Sequence, residues 1–154
     1  HRQLFDGDAR VRGMAEAAIW AIWSRSGNPA ADRLFERGMD EMRNGNLKVA
    51  VEIFGKAIAV MPQFTEAWNK RATIYFLLGE YELSLKDCAE VLRRNPQHFG
   101  VLAGYGQIYL RQGDLPRALE HFERAITVNP NMAGVRSSIE AIRETLIKRE
   151  RRYI

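Results

Sequence analysis

The chain has 154 residues, of which 46% are apolar and 27% charged, and carries a formal net charge of +4. That length fits a single domain, 1–154, with a core of its own. No run approaches the roughly 18 apolar residues that cross a bilayer, so membrane insertion is excluded, and one cysteine, Cys88, leaves no internal disulfide to form.

The sequence begins at His1 without a methionine. This fits an excised domain and leaves a preceding targeting segment open. No secretory signal is visible, and the apolar stretch Ala15–Trp23 is short and interrupted by Glu16. The compartment is not specified. A lone cysteine at a core position favours a reducing intracellular one, an organelle included.

Asp8 to Ser26 reads as a first helix. Val11, Ala15, Ala18, Ile19, Ile22 and Trp23 share one face, and Asp6 or Asp8 can cap its start. Ser26-Gly27-Asn28-Pro29 then reads as a stop and a new start: Gly27 ends the helix, Asn28 caps the next and Pro29 takes its first position. Trp20 and Trp23 flank the apolar stripe. Either both pack on the following hairpin, or one is exposed as an accessory interface, since Trp is enriched at interface hot spots.

From Ala31 the chain repeats every 34 residues, closing on Pro62, Pro96 and Pro130. The units are 31–64, 65–98 and 99–132. Each has an apolar anchor (Leu34, Trp68, Leu102), then a small residue (Gly38, Ala72, Gly106), then Glu41, Tyr75 or Tyr109. A turn follows at Gly45, Gly79 and Gly113, where glycine can adopt the left-handed conformation that ends a helix. Beyond it come Ala50, Ser84 and Ala118, then Phe54, Cys88 and Phe122, then Ala57, Val91 and Ala125. The small residues let two antiparallel helices approach, and the large ones recur at helical spacing. Proline ends the second helix. A fixed period of this length points to stacked helical hairpins, each too small to bury its apolar face alone. Residues 133–150 follow as a last helix. Its narrow stripe of Val135, Ile139, Ile142 and Leu146, charged elsewhere, suits a cap on the third hairpin.

This pattern resembles the tetratricopeptide repeat family, Trp-x2-Leu-Gly-x2-Tyr followed by Ala-x3-Phe-x2-Ala and Pro. The resemblance covers Ala31 to Met132. Arg37 and Arg71 depart from the usual Leu, Glu41 from the Tyr, and Cys88 from a bulky aromatic. It implies an all-α, right-handed superhelical solenoid of antiparallel hairpins, with an extra N-terminal helix and a C-terminal capping helix. It also implies a concave groove, lined by the first helices, that binds peptides or helices of other proteins.

The groove lining expected on this basis is Phe35, Met39, Met42 and Arg43 from the first unit, Asn69, Lys70, Thr73 and Phe76 from the second, and Gln107, Leu110 and Arg111 from the third. Phe35, Met39, Met42, Phe76 and Leu110 would supply apolar anchorage, and methionine suits an adaptable surface. Asn69, Lys70, Gln107 and Arg111 would set the register of the ligand. Gly100, Ala103 and Gly104 strip side chains from one stretch of the third first-helix. Some family members clamp the acidic tails of heat-shock chaperones with Lys and Asn on successive first helices. The matching places here hold Phe35, Met39, Lys70, Gly100 and Gly104, so the chaperone clamp is absent.

Catalysis finds no support. His1, His98 and His121 form no metal-ligand spacing, and no phosphate loop or nucleophile elbow occurs, so no cofactor, metal or catalytic residue is assigned. The function read from the sequence is an interaction adaptor whose partners are other proteins. Two alternatives stand beside it: self-association as a homo-oligomer, and, with less support, RNA binding through the positive charge and the tail Arg143, Lys148, Arg149, Arg151 and Arg152. Cys88 reads as a small buried hydrophobe.

Overall fold

The structure is a computed structural model, and it describes residues 13–19 and 26–152. Asp6, Asp8, Val11, Trp20, Ile22 and Trp23 lie outside the described residues. Every regular element among the described residues is an α-helix. Residues 13–19 (α1) are helical, with Ala15 buried. Then come α2 (Pro29–Arg43), α3 (Leu47–Val60), α4 (Thr65–Leu77), α5 (Tyr81–Arg94), α6 (Phe99–Arg111), α7 (Leu115–Val128) and α8 (Ala133–Arg151). The helices α2 with α3, α4 with α5, and α6 with α7 form three hairpins. The chain divides into two compact units. Glu16–Pro96 holds the first two hairpins, and the described residues from Gln97 onward, with 13–15, hold the third hairpin and α8.

Local chemistry sets the helix boundaries. The Asn28 side chain accepts hydrogen bonds from the backbone N–H of Ala30 and Ala31, with Pro29 as the first helical residue, so the start of α2 is capped as the sequence suggested. Gly27 before it sits at φ 80°. The tips of all three hairpins end their first helix in the same way. Gly45, Gly79 and Gly113 have φ of 79°, 77° and 79°. In each tip the glycine N–H reaches the carbonyl three residues back, and the next N–H reaches five back: Gly45 to Met42 at 3.1 Å and Asn46 to Glu41 at 2.9 Å in the first. This double reversal satisfies carbonyls that the helix end would otherwise leave open. The second helices stop before proline. Met61, Asn95 and Asn129 turn to extended backbone while still donating to Ala57, Val91 and Ala125 at 2.9, 2.8 and 2.9 Å. His98 then starts α6: its buried Nδ1 accepts from the Val101 N–H at 3.0 Å.

Two of the three hairpins close where the first helix lacks a side chain. A Cβ on Gly38 would lie 2.7 Å from the Phe54 ring, and one on Gly106 would lie 2.5 Å from the Phe122 ring. Both rings are fully buried. In the middle hairpin the same repeat positions hold Ala72 and Cys88, both buried, so a methyl group stands where the others have none and a thiol where they have a ring. The Ser84 hydroxyl also donates to the Ala72 carbonyl at 2.7 Å across the pair. In the first unit the core gathers Ala31, Phe35, Ala50, Phe54, Ala57, Ile58, Phe64, Ala67 and Ile74. In the second, Leu115, Ala118 and Phe122 meet Val135, Ile139 and Ile142 of α8. Leu146 packs against that cluster from the same face of α8.

Two glycines two residues apart on α6 should therefore respond in opposite directions to alanine. Gly106→Ala forces the Phe122 ring aside and should cost about 1–3 kcal/mol. Gly104→Ala meets nothing within 4 Å and should gain up to about 1 kcal/mol of helix propensity. Urea denaturation of both variants checks this. Equal effects of the same sign would contradict it.

Candidate functional site

Within each first helix the expected groove positions fall on one stripe, and the stripe opens toward the hairpin tip. On α4 it runs through Glu66, Asn69, Lys70, Thr73, Phe76 and Leu77. Glu66 and Asn69 are buried, Lys70 and Phe76 are half-buried, and Thr73 and Leu77 are exposed. Helical spacing of three and four residues puts them on one side. The corresponding stripe of α2 runs from buried Phe35 through half-buried Met39 and Met42 to exposed Arg43. On α6, Gly100, Ala103, Gly104, Gln107 and Leu110 are all half-buried and Arg111 is exposed.

Two of the expected contacts must be corrected. Phe35 is only 3% exposed, with its ring 5.5 Å from that of Phe54 and 4.9 Å from that of Phe64. It is a core residue because α3 and the α3–α4 link cover the N-terminal half of its stripe, so it offers no surface to a ligand. Asn69 is 8% exposed, and its Nδ2 donates to Glu66 Oε1 at 2.7 Å. It is committed to a buried carboxylate, which also has the Lys70 ammonium 4.0 Å away. Met39 and Met42 pack partly on the first core, and Leu110 partly on the second, so each presents only part of its side chain. Arg43 pairs with Asp40 one turn back. The Thr73 hydroxyl donates to the Asn69 carbonyl at 3.1 Å, and the Phe76 ring lies 5.7 Å from Tyr81. Trp20 and Trp23, the accessory candidates, lie outside the described residues.

The departures from the repeat pattern, exposed Arg37 apart, make contacts of their own. Arg71, where an apolar residue was expected, makes a two-pronged bond to Asp87, Nε to Oδ2 at 2.8 Å and Nη2 to Oδ1 at 2.9 Å. The Asp87 partner raises its guanidinium pKa further against the opposing effect of burial. Arg71 also lies 5.2 Å from the Trp68 ring, and Arg94 lies 4.9 Å from it, so this indole meets two guanidinium groups. Trp68, Arg71, Tyr75, Leu83, Lys86 and Glu90 line a cleft of about 430 Å³. The third hairpin fills the equivalent places with rings: Tyr105 stacks on His121 at 4.9 Å and beside Tyr109 at 6.2 Å. Glu41, the third departure, accepts from Asn46 Nδ2 at 2.7 Å and ties down its tip. The pairing of Arg71 with Asp87, sixteen residues on, was legible in principle as two opposite charges at facing repeat positions.

Among the described residues no group of three or more His, Cys, Asp or Glu side chains could hold a metal ion. No described helix is long and apolar enough to cross a membrane. Cys88 is 2% exposed. Burial pushes its thiol up to about 12, against a smaller opposing effect of the Ser84 hydroxyl. It is thus no nucleophile near neutrality.

The tetratricopeptide repeat family profile matches residues 63–131. A TPR repeat-containing protein of Rhizobium etli is 31% identical over 152 residues, covering 94% of this chain and 73% of that protein. The mouse FK506-binding protein-like protein is 25% identical over 128 residues, and there the match spans 78% of this chain but only 37% of the relative. Among solved structures, the first TPR of Spaghetti (RPAP3), bound to the HSP90 peptide SRMEEVD, superposes with a TM-score of 0.73 at 21% identity, covering 76% of this chain and 93% of that one. The Sgt2 TPR domain of Aspergillus fumigatus gives 0.74 at 19% identity, covering 80% and 83%. These likenesses establish the fold as an all-helical solenoid of such repeats.

The Cys88 thiol carries a pH prediction. Its folded pKa lies above the unfolded value of about 8.5, so its contribution to stability is intact below that value and is lost as pH rises toward about 12. The stability advantage over Cys88→Ala should therefore shrink above pH 9, by up to about 1.4 kcal/mol per pH unit. Denaturation curves of the two proteins between pH 8 and 10.5 measure it. A constant offset would refute it.

Proposed function

The chain belongs to the tetratricopeptide repeat family, whose repeats are protein–protein interaction modules, and from that premise we propose that it is a non-catalytic adaptor docking a peptide or helix of a partner on its first-helix faces. The observation that carries this reading is the α4 stripe. Lys70, Thr73, Phe76 and Leu77 follow one another along one side, partly or wholly open, and set a cation beside apolar surface. Met39 and Met42 add soft apolar surface on α2, whose unbranched side chains adjust to a ligand. Gln107, Leu110 and Arg111 continue the same repeat positions on α6. The ligand suited to such a lining is a segment with apolar side chains and a minority of carboxylates.

The groove is not a carboxylate clamp of the kind that holds chaperone tails. At the places where such a clamp needs cations and amides, Phe35 is committed to the core and Gly104 offers only an open backbone, with nothing within 4 Å of its missing side chain. Lys70 alone carries the right charge.

Two measurements test the reading. Thr73→Glu with Phe76→Ala alters the open half of the stripe and leaves the buried half intact. In affinity capture against the wild type, this variant should lose its groove ligands while its circular dichroism is unchanged, and an identical set of captured proteins would count against the groove. The peptide SRMEEVD, which the structural neighbour holds, should give no saturable fluorescence change at peptide concentrations of about 100 μM. Micromolar binding would restore the clamp.

A further inference from the structure

The three hairpin tips share one backbone and differ in their side chains. Each has its glycine at φ 77–79° with the same pair of reversed hydrogen bonds. The two residues before that glycine, and the third residue of the following helix, are therefore free to vary as far as the turn is concerned. The first tip uses Arg43, Asn44 and Val49, and the third uses Arg111, Gln112 and Arg117. The second uses Leu77, Leu78 and Leu83, which are 57%, 37% and 41% exposed. Seven large apolar side chains are exposed among the described residues, and three of them sit on this one tip. No requirement of the turn accounts for them, since the third tip keeps the same backbone with three polar residues and the first with two, Val49 being its one exposed apolar residue. Between the leucines lie Glu80 and Glu82, both exposed and neither in an ion pair among the described residues.

The end of α8 has the opposite character. Ile142 is its last buried residue. Beyond it Ile147 is 49% exposed, and Lys148, Arg149, Arg151 and Arg152 are exposed without an ion-pair partner among the described residues. Basic residues there complement the C-terminal end of the helix dipole, but that gives no reason for an isoleucine among them. An acidic tip with exposed leucines and a basic helix end with an exposed isoleucine match in both charge and apolarity.

We infer that the Leu77–Leu83 tip is an interaction surface whose occupant is the basic end of α8 from a second copy of this chain. Ile147 seats against the leucines, while Lys148 and Arg149 face Glu80 and Glu82. A two-fold pairing makes the contact twice, because each copy offers one tip and one tail. The contact is small and its charges lie in water, so the association is weak and sensitive to salt.

Sedimentation velocity on the full chain tests this, over a range of protein concentrations at low and at high salt. The expected result is reversible dimerisation at low salt, with an association constant that falls about tenfold or more at high salt. Glu80→Lys with Glu82→Lys should be monomeric, as should Lys148→Glu with Arg149→Glu, each with unchanged helicity. An equimolar mixture of the two variants should recover a one-to-one complex, since reversed tip then meets reversed tail and native tip meets native tail. A wild type that stays monomeric at every concentration overturns the inference. So does a dimer that survives either reversal, or a mixture that stays monomeric.

Discussion

The closeness of the two helices within a hairpin is the constraint on which the rest of the molecule depends. A phenylalanine ring on the second helix can be fully buried only where the first helix has no side chain in its way, and Gly38 and Gly106 provide that space for Phe54 and Phe122. Glycine inside a helix is unfavourable by about 1 kcal/mol relative to alanine, and burial of a whole aromatic ring more than offsets it. Once the ring is seated, the helix separation is fixed, and so is the length of the tip that joins the two helices. The middle hairpin shows that the requirement concerns total volume and not a particular residue. Ala72 and Cys88, both buried, stand at the same two repeat positions, and the Ser84 hydroxyl adds a buried hydrogen bond to the Ala72 carbonyl. In α8 the equivalent position is Glu140, which is exposed. A carboxylate there leaves no place for a ring, so α8 can pack on α7 without calling for a partner helix of its own.

The middle hairpin also departs from its neighbours in pairing opposite charges at positions where the third hairpin stacks Tyr105 on His121 and the first has Arg37 and Ile53. Asp87 is almost fully buried and Arg71 largely so. Taking such a pair out of water roughly cancels its mutual attraction, so it adds little net stability over an apolar pair of the same volume. What it does add is directional pairing. The planar fork of Arg71 fits one carboxylate in one orientation, and Trp68 and Tyr75 flank the guanidinium. A methyl group and a thiol at these positions are less shape-specific than a ring against glycine, and the two-pronged bond of Arg71 to Asp87 supplies a directional contact between the same two helices.

The ends of the helices were legible in the sequence because their causes are local. Asn28 and Pro29 start α2, the three glycines reverse the chain, and the three prolines stop the second helices, each through the backbone chemistry of two or three adjacent residues. The faces of the first helices were less legible. Periodicity identifies which residues share a side of a helix, but not what lies over that side. Met39, Met42, Lys70, Thr73 and Phe76 share their stripes with Phe35 and Asn69, yet the N-terminal half of each stripe is closed. Two signals bore on this and are recognisable in hindsight. Phe35 has two other phenylalanines, Phe54 and Phe64, to pack with. Asn69 lies one turn after Glu66 in a helix, the spacing at which a carboxylate and an amide meet.

Repetition of the backbone without repetition of the surface is what gives such a chain a function of its own. The folding constraints recur every 34 residues and occupy the same positions each time: the glycine or alanine of the first helix, the glycine of the tip, the ring or its substitute, the proline. Positions outside that set are released from folding and differ freely. Arg71, Tyr105 and Arg37 stand at one repeat position, and Leu77, Arg43 and Arg111 at another. A difference between repeats at a constrained position has to be compensated within the hairpin, as Cys88 is by Ala72 and Ser84. A difference at a released position needs no internal compensation, so an unfavourable residue there, such as a leucine more than half exposed to water, has to find its reason outside the hairpin. That asymmetry separates the substitutes at constrained positions, such as Cys88 with Ser84, which answer to the fold, from the exposed leucines of the second tip and the open end of the α4 stripe, on which the proposed partner surfaces rest.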